Sequence, residues 1–115
     1  MRQAIHTQDA PQAIGPYSQA IRAGELLFVS GQIPLDPSTG EMVQGDIKAQ
    51  TEQVMKNIAS ILAAANVSFD HVVRTTIFLA DLSDFAVVNE IYGSYFETTE
   101  PARAAFQVAR FPKAA

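Results

Sequence analysis

Residues 101–111 read PARAAFQVARF, and the fold turns on how that run is placed. Taken with period two, Ala102, Ala104, Phe106 and Val108 share one face, while Arg103, Ala105, Gln107 and Ala109 share the other. The run reads as a closing strand. A charge set among small residues on a strand either reaches water or holds an anion.

Working outward from that strand, residues 83–96 are predicted to form a helix capped by Ser83 or Asp84 and running to about Phe96. Phe85, Asn89, Tyr92 and Phe96 fall on one face, with Val88, Ile91 and Tyr95 on the flank. Gly93 inside that helix costs on the order of 1 kcal/mol against Ala, which predicts a close approach there. Before it, HVVRTTIFLAD (71–81) is rich in β-branched residues and reads as a strand of about eight to ten residues. Farther upstream Asp46 is a candidate N-cap for a long helix. Ile47, Thr51, Val54, Ile58, Ile61 or Leu62, and Ala65 recur on it at three-and-four spacing, and Asn66 is placed to end it in the left-handed conformation. Between residues 34 and 45, PLDPSTGEMVQG is turn and loop by composition. Strands are predicted at Tyr17–Arg22 and Leu26–Gly31, joined at Ala23-Gly24-Glu25, with a short further strand near Ala4–His6.

The resulting order, β-β-α-β-α-β, is an α+β domain with a mixed sheet and both helices packed on one face. Leu27, Val29, Val73, Thr75, Ile77 and Leu79 put apolar or β-branched groups on both sides of the pleat. One helical layer covers one side only. The other apolar face is expected to find a partner, so the chain is expected to be an oligomer.

At 115 residues this is one domain, large enough to bury roughly two-thirds of its unfolded surface. There are no cysteines, which removes disulfides, thiolate metal sites and thiol nucleophiles. The formal charge is −4, from 8 basic and 12 acidic residues, a poor match to a phosphate backbone. No segment has the length of a signal peptide core or a membrane span. A cytoplasmic protein with neither nucleic-acid nor membrane partners is expected. His6 and His71 lack metal-ligand spacing, and no glycine-rich phosphate loop is present. Asp36, Glu41 and Asp46, in or beside the loop, are most simply solvating.

Several residues remain as candidates, each with a plain alternative. Arg103 either pairs with a neighbouring carboxylate or clamps a small one with its planar fork. Tyr17 either packs half-buried with its hydroxyl at the rim or walls a pocket. Ser30 and Gly31 end a strand, where Gly31 either makes a turn or exposes backbone to a ligand. Asn89, among aromatic residues, makes either a structural bond or a ligand contact.

Five ordered blocks carry a resemblance: AIGPYSQAI, VSGQIPLDPSTGE, GDIKAQTEQVMKNI, VVRTTIFLADLSDFAVVNEIYGSYF and PARAAFQVARFPK. Together they run from about Ala13 to Lys113 and resemble the RidA (YjgF-type) family of enamine/imine deaminases. The resemblance implies a chorismate-mutase-like α+β fold and a homotrimer with a ligand site in each intersubunit cleft. It implies hydrolysis of 2-iminobutanoate and 2-iminopropanoate to 2-keto acids and ammonia, without cofactor or metal. The family's carboxylate-binding arginine falls on Arg103 and its site tyrosine on Tyr17. Its strand-end pair falls on Ser30 and Gly31, its helical asparagine on Asn89 and a later proline on Pro112. A backbone contact falls on Ala105.

Two departures accompany the match. Ala105 stands where a cysteine is common, which excludes thiol modification there. The family also continues into a further strand of the form LVEIEAIA, whose glutamate is thought to activate water, whereas the given sequence stops at Ala115. The domain is therefore expected to span residues 1–115 without that strand, and a chain ending there to bind anions with weak or absent deaminase activity. A small-carboxylate-binding or regulatory module of the same fold is the alternative. A ribonuclease or translation-inhibitor role fits the −4 charge less well.

Overall fold

Asp46 begins the longest element. In the computed structural model, which describes residues 1–115 apart from the side chain of Ala114, its carboxylate accepts the Ala49 amide at 3.1 Å and caps α1, Ile47–Ala64. The helix ends as expected at Asn66, whose φ is +62°. Asn66 N–H donates to Ala63 and Val67 N–H to Leu62, the paired bonds of a Schellman ending, and Val67 packs on the core below.

Three strands precede α1. β1 (Arg2–Ile5), β2 (Ala20–Ala23) and β3 (Leu26–Val29) form an antiparallel sheet in that order, with Ile5 opposite Ala20 and Ala20 opposite Val29. Gly24, at φ +60°, makes the tight β2–β3 connection. Two expected boundaries shift. β2 begins at Ala20 rather than Tyr17, because the Tyr17 amide turns back onto Gly15 O at 2.9 Å. β3 stops at Val29, before Ser30 and Gly31.

After α1, β4 (Arg74–Leu79) and β5 (Ala102–Gln107) pair in parallel, joined across α2 (Phe85–Gly93). β4 is shorter than expected because Phe69–His71 forms a 3-10 turn capped by Ser68. A second such turn, Leu82–Asp84, precedes α2 and is capped by Asp81, which accepts the Ser83 amide at 2.9 Å; Asp84 stands at the N-cap position of α2 as expected, without a side-chain cap bond. α2 ends at Gly93, short of Phe96. A Cβ built on Gly93 meets nothing within 4 Å, so the close approach expected there is not what the glycine serves.

The strands thus form an antiparallel triplet and a parallel pair in place of one continuous sheet, since among the described residues no ladder joins the two. Both pieces lie under the helices. Ile61 and Ala65 of the first helical segment pack on Ile5, Ala10 and Ala20, while Met55, Tyr92 and Phe96 pack with Ile77, Phe69 and Val72. α1 and α2 touch each other above. Burying a side chain such as Ile61 fully contributes about 1.5–3 kcal/mol. The opposite face stays uncovered. Phe78 and Phe106, opposite each other in the ladder, stack at 6.3 Å with about half of each exposed, and Leu26 and Phe28 are as open. Among the described residues no helix is long and apolar enough to cross a membrane.

Candidate functional site

Alternation along β5 turns Arg103 and Ala105 toward α2 and leaves Phe106 on the uncovered face. Directly opposite Arg103 in the parallel ladder lies Thr75 of β4. Above them α2 presents Phe85, Asn89 and Tyr92, the face that the spacing predicts.

The guanidinium of Arg103 donates to Asn89 Oδ1 at 2.5 Å. Its central carbon lies 5.2 Å from the centroid of the Phe85 ring and 5.2 Å from that of Tyr92. Tyr92 is itself tied down, its hydroxyl 2.6 Å from that of Thr75. The cation is thus held by a neutral amide and two ring faces, whose quadrupoles attract positive charge without cancelling it. An arginine has five N–H donors, and among the described residues one is used in a side-chain bond. The residue is exposed, so a ligand can reach the guanidinium from solvent. That arrangement suits an incoming planar anion.

Tyr17, Ser30 and Gly31 form a second group at the open end of the β2–β3 hairpin. Ser30 Oγ donates to Ser18 O at 2.6 Å and the Ser30 amide to Gln19 O at 3.0 Å. Tyr17 walls a concavity of about 650 Å³ with Arg2, Ala4, Gly15, Pro16, Ser18 and Ile21. Gly31 is exposed, and open space surrounds the position its Cβ would take, so a ligand can approach the backbone there. The structure therefore brings Arg103 and Asn89 into contact, with Ala105 two residues along the same strand, and ties Ser30 to Ser18 and Gln19 next to Tyr17, with no hydrogen bond between the two sets among the described residues. Pro112 opens a 3-10 turn after β5 and joins neither group by a hydrogen bond. A second concavity, about 400 Å³ beside Arg22 and the end of α1, lies away from both.

Buried amides hold the hairpin group. Gln19, almost wholly buried, accepts from Thr7 N and donates to the carbonyls of Thr7 and Pro11 at 3.0 and 2.8 Å. Asn57 secures the segment beyond Gly31 from inside α1. Sequence reasoning missed both, together with Thr75 and the role of Phe85 and Tyr92. The 85/89/92 spacing was the available signal for the aromatic pair. Burial pushes the Tyr95 hydroxyl above its ordinary value of 10.0, aided by its bond to Glu52, and this links α1 to the end of the α2 segment rather than serving the site. Among the described residues no three His, Asp or Glu side chains cluster as metal ligands.

The chain as a whole is similar to known proteins. The family model described as endoribonuclease L-PSP matches residues 7–115. Protein DfrA of Myxococcus xanthus is 60% identical over 114 residues, covering 97% of this chain and 87% of that protein. The 2-iminobutanoate/2-iminopropanoate deaminase of Mus musculus is 50% identical over 113 residues, covering 98% and 84%. The crystal structure of E. coli TdcF with bound serine superposes with a TM-score of 0.93 at 43% identity, covering 97% of this chain and 90% of that one.

Proposed function

Because this chain belongs to the endoribonuclease L-PSP family, that of the RidA (YjgF-type) imine deaminases, we propose that it hydrolyses small 2-imino acids to 2-keto acids and ammonia. The substrates that the deaminase relatives' name suggests are 2-iminobutanoate and 2-iminopropanoate, met in the cytoplasm. One observation carries the reading: Arg103 is held by uncharged groups and keeps donors free for a carboxylate. The serine bound to TdcF, a small amino acid, is a ligand of the same kind.

In the reaction, water oxygen adds to the imine carbon and its proton passes to nitrogen. The hydroxyl proton of the resulting carbinolamine then passes to nitrogen as the C–N bond breaks and the C=O bond forms, leaving the keto acid and ammonia. Arg103, oriented by Asn89, holds the carboxylate so that the imine carbon faces water; such orientation is worth up to about 7–11 kcal/mol in favourable cases. Backbone groups at Gly31 and Ala105 meet the imine nitrogen, Tyr17 shields one side and orients water, and Ser30 and Pro112 complete the wall. Within one chain the two groups belong to separate ladders and no hydrogen bond joins them among the described residues, so the hairpin of a second copy supplies Tyr17, Ser30 and Gly31, in a homotrimer closed over the uncovered faces. No metal or cofactor takes part.

A second reading is a small-carboxylate-binding module without turnover. It is favoured by the contacts of Arg103, which among the described residues include no carboxylate or imidazole to take a proton from water.

Coupling the protein to a pyridoxal-phosphate-dependent threonine dehydratase tests both. Faster release of ammonia and 2-ketobutyrate, lost in Arg103→Ala, is the expected result. No acceleration with saturable 2-ketobutyrate binding leaves the second reading; neither acceleration nor binding ends both.

A further inference from the structure

Arg103 makes one side-chain hydrogen bond among the described residues, yet four residues govern where its guanidinium points. We propose that the Thr75–Tyr92 hydroxyl pair is a positioning device that sets the plane of that guanidinium, and with it the affinity for a carboxylate. The inference rests on the reading that Arg103 grips one.

Tyr92 reaches the cation with a ring face rather than a polar atom. Packing against Met55 and Phe96 confines that ring, and any tilt left to it would turn an edge, with its opposite partial charge, toward the cation. Its hydroxyl prevents this, being bonded at 2.6 Å to a β-branched residue whose side-chain torsion is restricted. That residue, Thr75, stands directly opposite Arg103 in the ladder, so anchor and cation sit on the same pair of strands and keep their spacing. With Phe85 as the other ring and Asn89 taking one N–H, the fork is left one outward direction. Two parallel N–H···O bonds to a carboxylate require that plane to be fixed; a tilted fork keeps only one. Asn89 fixes a point on the guanidinium. The hydroxyl pair fixes its tilt.

Titration calorimetry with 2-ketobutyrate, alongside thermal melts, tests the inference on the wild type, Tyr92→Phe, Thr75→Val, Thr75→Ser, the Y92F/T75V double variant and Arg103→Ala. Tyr92→Phe and Thr75→Val should each weaken binding by about fivefold, the scale of one hydrogen bond. The double variant should bind no worse than either single one, because both remove the same contact. Thr75→Ser, which keeps the hydroxyl but not the β-branch, should bind more tightly than Thr75→Val and within about twofold of the wild type. Lower melting temperatures with unchanged affinity would mean that the pair merely supports the fold, and would overturn the inference while leaving Arg103 as the carboxylate grip. Unaltered binding in Arg103→Ala, or none in the wild type, would remove that grip and the inference with it.

Discussion

Asn57, with no surface exposed, donates to Leu35 O at 3.0 Å and to Ile33 O at 3.4 Å, and its own carbonyl accepts from Gln53. One amide in the middle of α1 thereby fixes the path of the chain as it leaves β3, just past Ser30 and Gly31. Asn57→Leu strands the Leu35 carbonyl without a donor and should cost about 2–3 kcal/mol in urea unfolding. Asn57→Asp should cost as much at neutral pH, since a carboxylate cannot donate. A loss below about 0.5 kcal/mol for both would mean that water replaces the amide.

Two glycines should respond in opposite senses to alanine. Gly93 lies in α2 with open space around it, so Gly93→Ala should stabilise by about 0.5–1 kcal/mol. Gly45 has a φ of +125° and its Cβ would stand 3.0 Å from that of Ala49, so Gly45→Ala should destabilise by more than about 1 kcal/mol. Thermal melts of the two variants read the difference directly.

The stacked pair Phe78 and Phe106 lies on the apolar face that no helix covers. Sedimentation should therefore return a multiple of the 12.4 kDa chain mass, and Phe106→Asp should shift the protein toward that single mass. A wild type already at 12.4 kDa at micromolar concentration would remove the reason for a site shared between copies.

Bonds from the Ser83 amide, and then its hydroxyl, hold the Asp81 carboxyl below its ordinary value of 3.8; the Ser38 hydroxyl, then its amide, does the same for Asp36. Both values are lower in the folded chain than in the unfolded one. Each group thus contributes stability above the ordinary value and loses it as pH falls through the lowered one. Asp81→Asn should flatten the acid limb of a stability–pH curve while changing its shape little near neutrality. An unchanged acid limb would show the cap to be inert.

Local signals made most of the fold legible. Asp46, Asn66 and Gly24 each do the job their type suggests, because caps and tight turns are satisfied within a few residues. Helical spacing likewise put Phe85, Asn89 and Tyr92 on one side. What it could not supply was the strand beneath them, since the meeting of Thr75, Tyr92 and Arg103 depends on a register between segments far apart in sequence. The inward positions of α1 were misread at Val54, where Met55 and Asn57 are buried instead. An asparagine looks like a surface residue until two loop carbonyls need a donor. Division of the strands into two ladders was equally invisible, because strand composition does not say which edges meet.

Among the described residues the hydrogen bond and ring contacts of the Arg103 guanidinium arise within residues 74–107, a single strand–helix–strand module. The carboxylate grip proposed for Arg103 can therefore be inherited as one piece, while the amino-terminal hairpin, which carries Tyr17, Ser30 and Gly31, can change separately. Descendants of such a protein would be expected to diverge in what they accept sooner than in the charge they demand of it.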